Sequence, residues 1–136
     1  MRDLMTASPH TLTPRATLGD ALAVMGKHGI RHLPIVENGK IVGLISERDV
    51  KMALGPDSVN MDLEQIDPRQ ADGPVDWFMT DGVLTVNASA PLGAACRLFV
   101  TTKVGALPVV ESGKLVGILS VIDLLEAAAP LFDGKT

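Results

Sequence analysis

Two short stretches hold the residue types best suited to chemistry. Ser46-Glu47-Arg48-Asp49 and Ser120-Val121-Ile122-Asp123 share a Ser-x-x-Asp spacing. At a helix start that spacing is close to a capping box, in which the Ser side chain and the acid three residues on satisfy backbone amides. The same geometry suits a ligand. A carboxylate in the first helical turn accepts two hydrogen bonds from a ribose-like diol, while nearby amides and the Ser hydroxyl meet a phosphate at the positive end of the helix. One residue pair can serve both uses. Arg48 reads either as a solvated helix-start Arg or as a donor of charge-assisted, bidentate bonds to phosphate. The second stretch has Ile122 in that place.

Arg31-His32-Leu33-Pro34 is the other cluster. Pro is confined to strand edges, so backbone beside it is free to bond something other than a ladder partner. His32 reads as a surface or packing residue of a strand. Gly105-Ala106-Leu107-Pro108 is the matching stretch later in the chain, small and uncharged.

These stretches come in pairs because the chain is one unit written twice. Displaced by 74 residues, Leu4–Lys51 matches Phe78–Leu125 at 17 of 48 positions without a gap. Repeats of this kind define the architecture before any other signal does. In each copy a short extended piece (His10–Thr13; Leu84–Val86) precedes a helical pattern. Leu18, Ala21, Leu22, Met25 and Leu92, Ala95, Cys96, Phe99 fall at i, i+3, i+4, i+7, one apolar helix face. Glycines predict that the first helix stops near Gly26–Gly29.

Two apolar runs follow, Arg31–Val36 and Lys40–Ser46, joined through Asn38-Gly39, a strong hairpin signal. Ser112-Gly113 takes that place in the second copy. Second helices are predicted over Glu47–Leu54 and Val121–Ala129. Each copy therefore reads β-α-β-β-α, an α+β unit of about 50 residues, too small to be comfortably stable alone. Residues 2–54 and 75–129 are the expected repeats, with 130–136 as a tail. Between them, 55–74 holds three Pro, two Gly and five Asp or Glu, a linker with a helical turn near Met61–Ile66.

Composition narrows the function. Apolar residues make up 46% and charged residues 21%, enough for a core. The net charge of −4 and only four aromatics (three Phe, one Trp) argue against a nucleic-acid partner. The single Cys96 excludes an internal disulfide and fits a reducing compartment. No apolar stretch approaches the roughly 18 residues of a membrane span. With no targeting segment expected either, the chain reads as soluble and cytoplasmic.

The Met-Thr start, the Gly-Ile-Arg-His-Leu-Pro-Ile-Val strand and the Gly-Lys-Ile-Val-Gly-Leu-Ile-Ser-Glu-Arg-Asp-Val run together resemble the cystathionine β-synthase (CBS) domain. The tandem resembles a Bateman module. That resemblance implies two repeats packed sheet to sheet with pseudo-twofold symmetry, and a homodimer, a disc of four repeats. It also implies adenosyl-ligand binding in composite clefts between the repeats.

Carried over residue by residue, a favoured site A joins His32, Ser46, Arg48 and Asp49 to Thr85, Asn87, Val104, Gly105 and Ala106. A weaker site B joins Ser120 and Asp123 to Thr11, Thr13, Ile30 and Arg31. In site A, Asp49 binds ribose, Arg48 and His32 bind phosphate, and the 104–106 backbone binds adenine. AMP, ADP or ATP is the expected ligand, with NAD, S-adenosylmethionine or a cyclic dinucleotide as alternatives. No cofactor is obligatory. The rival reading is a ligand-free structural or dimerisation module acting through an unknown protein partner.

Other constellations carry little. No nucleophile–base pair is present, so no enzyme activity is expected. His10, His28, His32 and Cys96 lack metal-ligand spacing. Gly-Lys at 39–40 and 113–114 lacks the glycine-rich lead of a P-loop. Cys96 is expected in the core, and Trp77 is expected to pack against the other repeat.

Overall fold

In the computed structural model, which describes residues 2–134, both hairpins form at the expected turns. Asn38 and Gly39 take φ of 55° and 80°, as do Ser112 and Gly113 at 52° and 79°. Two consecutive positive φ values give a turn whose twist matches that of paired strands. Strand β2 (His32–Glu37) thus returns as β3 (Lys40–Ser46), with His32 opposite Ser46. Likewise β5 (Ala106–Glu111) returns as β6 (Lys114–Ser120), with Ala106 opposite Ser120.

Four helices accompany the hairpins. Thr17 and Asp20 form a capping box at the start of α1 (Leu18–His28), and Gly29 ends it at φ 63°. Helix α2 (Glu47–Leu54) follows β3 directly. The third, α3 (Leu92–Thr102), ends on Lys103 at φ 58°, where the first copy has Gly29. The fourth, α4 (Val121–Phe132), runs three residues past the expected end at Ala129 and through Pro130. Pro130 has no amide to donate to the Glu126 carbonyl, so the last turn lacks one hydrogen bond.

The chain divides into two units, His10–Val83, and Met1–Pro9 with Leu84–Thr136. The division exchanges the Met-Thr segments. Strand β1 (Thr6–Ala7), which opens the first repeat, pairs with β6 of the second, Thr6 opposite Ile118. Thr80, which opens the second repeat, bridges Leu44 of β3. On the far edge, β4 (Val86–Asn87) runs parallel to β5, Val86 opposite Val109. Leu12 bridges Ile35 of β2 in the same sense. Every one of these pairs recurs at an offset of 74, so each unit carries the same strand order. One sheet of the α+β fold reads β1-β6-β5-β4.

Methionines lock the exchanged segments. Met79 lies where a Cβ on Gly43 would project, and Met5 does the same at Gly117. Only glycine leaves that space.

The linker is more ordered than the expected single turn. Single-turn 3-10 helices occupy Pro56–Ser58, Leu63–Gln65, Pro68–Gln70 and Val75–Trp77. Ile66, Ala71 and Val75 join the core of Leu18, Leu22, Met25, Leu33, Ile35 and Ile45. The other unit has its own core of Val86, Ala95, Phe99, Leu107, Val109 and Leu119.

Two packing expectations are corrected. Cys96 is exposed, although its counterpart Leu22 is buried in a core that includes the linker residues Ile66 and Ala71. Trp77 is 76% exposed and does not pack. Its neighbour Phe78, also exposed, lays its ring edge over Gly73.

Candidate functional site

The junction of β3 and α2 gathers most of the candidate chemistry. Ser46 ends the strand in extended conformation and caps the helix. The Asp49 amide donates to Ser46 Oγ at 3.1 Å, and the Ser46 amide donates to Asp49 Oδ2 at 2.9 Å. Next to them the Glu47 amide donates to the Arg31 carbonyl at 2.8 Å. These bonds hold the start of α2 against the start of β2, where His32 stands opposite Ser46. His32, Ser46, Arg48 and Asp49 therefore share one end of the hairpin. The cap uses Oδ2 of Asp49; a carboxylate has lone pairs enough on its other oxygen to accept from a diol.

Charge is arranged unevenly here. Glu47 takes the Lys51 ammonium at 2.8 Å and the Arg31 guanidinium at 3.5 Å. The Arg31 side chain is 81% exposed, so that pair adds little stability. Arg48 is also exposed, and among the described residues no carboxylate pairs with it. Burial holds the His32 pKa below the ordinary imidazole value, with Arg31 acting the same way and Asp49 and Glu47 opposing. His32 is thus held toward its neutral form. Sequence reasoning gave Glu47 no role, although its i, i+4 spacing to Lys51 was the available signal.

The β6–α4 junction repeats the backbone and omits the cations. Ser120 and Asp123 form the same reciprocal pair at 3.1 and 3.2 Å. The Val121 amide donates to the Gly105 carbonyl at 3.0 Å. Where the first junction has Arg31, His32 and Arg48, this one has Gly105, Ala106 and Ile122. Ala106 is buried and Val104 exposed.

The Thr segments flank the edge strands. Leu12 donates to the Pro34 carbonyl at 3.1 Å and accepts from the Val36 amide at 2.8 Å, with Thr11 and Thr13 exposed on either side. Ile30 follows the α1 cap, its amide donating to the Met25 carbonyl. Thr85 is half-buried ahead of Val86. Asn87 Oδ1 accepts from the Ser89 amide and hydroxyl, so half of that amide already serves a turn. The unit His10–Val83 thus holds His32, Ser46, Arg48 and Asp49 of site A with Thr11, Thr13, Ile30 and Arg31 of site B. The other unit holds Thr85, Asn87, Val104, Gly105 and Ala106 of site A with Ser120 and Asp123 of site B. Away from these junctions, the His10 and His28 rings stack at 3.7 Å.

Known proteins share this repeated fold. A family model described as the CBS domain matches residues 1–56 and again 75–130. The Vibrio cholerae protein AcuB is similar at 35% identity and a TM-score of 0.79, over 96% of this chain and 92% of its own. CBSX2, solved in complex with AMP, is 32% identical at a TM-score of 0.75, over 95% of each chain. The CBS domain pair of protein MJ0100, solved with 5′-methylthioadenosine and S-adenosyl-L-methionine, is 27% identical at a TM-score of 0.75, over 99% of this chain and 96% of that one. Both halves match the same family model, so this chain belongs to the CBS domain family as a tandem pair.

Proposed function

We propose that this chain is a non-enzymatic regulatory module that binds an adenosine-containing nucleotide, AMP, ADP or ATP before NAD, S-adenosylmethionine or a cyclic dinucleotide. The AMP complex of a protein 32% identical over 95% of both chains supports the ligand class. The observation that carries the reading is the β3–α2 junction. Asp49 keeps an oxygen beyond its cap for ribose, exposed Arg48 pairs with no acid among the described residues, and His32 stands beside them.

In this reading site A is completed by Thr85, Asn87 and the backbone of Val104, Gly105 and Ala106. Site B, built on Ser120, Asp123, Thr11, Thr13, Ile30 and Arg31, is weaker because Ile122 replaces Arg48. Binding draws the two repeats together and shifts the populations of a cytoplasmic homodimer or of a complex with a protein effector.

The rival reading is a structural module with no ligand. Complete capping boxes in both copies favour it, since Ser-x-x-Asp then needs nothing more. A thermal-shift panel of the six ligand types separates the two. A ligand at 100 times its dissociation constant stabilises by about 2.7 kcal/mol. A shift with an adenine nucleotide supports the regulatory reading, and a flat panel supports the structural one.

A further inference from the structure

Trp77 is the only tryptophan of the chain, and it is 76% exposed. The fold holds it in the open. In the unit His10–Val83 the segment that leads to it is tied to the start of α1. The Leu18 amide donates to the Gly73 carbonyl at 2.8 Å, and the Val75 amide donates to the Ala16 carbonyl at 2.8 Å. Val75 itself is buried in the core of that unit. The Phe78 amide then donates to the Val75 carbonyl at 3.0 Å and closes the single turn that carries Trp77. Phe78 is 37% exposed, so two of the chain's four aromatic side chains reach solvent from one anchored turn.

Acids flank this turn and lack partners. Residues 56–81 hold seven Asp or Glu against a single base, Arg69, so the segment carries a charge of −6 while the rest of the chain nets +2. Arg69 is already paired with Asp67 at 3.2 Å. Asp76 precedes Trp77, Asp72 adjoins the Gly73 that the Phe78 ring covers, and Asp81 lies four residues on. All three are exposed, and among the described residues none has an ion-pair partner. Exposed Arg15, next to the Ala16 carbonyl that accepts from Val75, pairs with none of them.

We propose that this turn is the docking site for an arginine-bearing basic segment of a protein partner. A guanidinium stacks flat on an indole face and is drawn to its ring electrons, while the acids on either side supply the opposite charge. Exposed apolar area rimmed by polar residues marks an interaction site, and Trp is over-represented among the residues that dominate interfaces. The sign of the rim selects the occupant. It repels anionic lipid and nucleic acid, and two copies meeting through this segment would set −6 against −6. A turn already held in place loses little freedom on binding. The inference gives the chemistry of the protein effector in the reading above and rests on that part of it, without depending on nucleotide.

Titration of the full chain with hexa-arginine amide, followed by Trp77 fluorescence and by calorimetry, tests it. The expected result is saturable binding that changes Trp77 emission and weakens as salt rises from about 0.01 M to about 0.15 M. Hexalysine amide should bind less tightly, because an ammonium has no flat face to stack. Asp72→Asn combined with Asp76→Asn should weaken hexa-arginine binding on the order of tenfold, and Trp77→Ala, read by calorimetry, should do the same. All three side chains are exposed, so the variants keep the fold. Absence of saturable binding would overturn the proposal. So would calorimetric binding that leaves Trp77 emission unchanged, or that persists undiminished in Trp77→Ala. Self-association of the parent that Trp77→Ala abolishes in sedimentation velocity would place a second copy there and overturn it as well. AMP calorimetry on the same samples reports separately on the nucleotide reading.

Discussion

The Ser46 amide donates to Oδ2 of Asp49 at 2.9 Å while the Asp49 amide donates to the Ser46 hydroxyl oxygen at 3.1 Å. Ser120 and Asp123 hold the same relationship. Each pair turns a strand into a helix within one residue, so each has a structural use regardless of ligand. Ser46→Ala and Ser120→Ala should each lower unfolding free energy by about 1 kcal/mol, the ordinary worth of an N-cap. Urea denaturation of the two variants measures this, and equal losses would show that the two caps are equivalent.

The exchanged segments give a sharper packing test. At Gly43 the obstructing atoms all belong to the flexible Met79 side chain, whereas at Gly117 the Thr6 backbone carbonyl also stands 3.0 Å from the projected Cβ. Overpacking costs roughly 1–3 kcal/mol. Gly117→Ala should therefore destabilise more than Gly43→Ala, and Met79→Ala should recover much of the loss at Gly43. Thermal melts of the single and paired variants decide it through the coupling between the two sites.

Lys103 holds a left-handed conformation, φ 58°, where the first repeat places Gly29. A side chain there costs about 1 kcal/mol that glycine avoids. Lys103→Gly should raise the denaturation midpoint. A lower midpoint would mean that the lysine side chain contributes more than its backbone costs.

His32 makes stability depend on pH. Its pKa is lowered in the folded chain, chiefly by burial, from an ordinary value of 6.5. Just below that pH the unfolded chain binds more protons than the folded one, so stability falls as pH drops through 6.5 and levels below the folded pKa. His32→Gln should flatten this part of the profile. Urea midpoints at about pH 5.5 and about pH 7.5 reveal it. A bound phosphate favours the protonated ring, so nucleotide affinity should also rise over the same fall in pH, in the parent alone.

Much of this fold was legible because the chain carries its own alignment. Asn38-Gly39 and Ser112-Gly113 located both hairpins, and the Ser-x-x-Asp pairs located the start of α2 and of α4 to the residue. The pairing of Thr6 and Thr80 was not legible. A two-residue strand has no periodicity, and β3 and β6 are nearly interchangeable in sequence, so only the course of the chain decides which hairpin each segment joins. Cys96 was misplaced for a related reason. Periodicity identifies an apolar stripe, but burial needs a covering segment, which Ile66 and Ala71 of the linker supply to Leu22. The half-buried setting of His32 beside Asp49 and Glu47 likewise arises from the register of β2 on β3 rather than from neighbours in sequence.

Calorimetric titration with AMP of the parent, Asp49→Ala and Arg48→Ile tests the central claim most directly. The account predicts saturable binding to the parent, weakened ten- to hundredfold in Asp49→Ala by loss of roughly 1.5–3 kcal/mol of charge-assisted hydrogen bonding. Arg48→Ile, which copies the second repeat, should weaken binding about tenfold without changing stability by more than about 0.5 kcal/mol. Binding by Asp49→Ala as tight as by the parent would contradict the account.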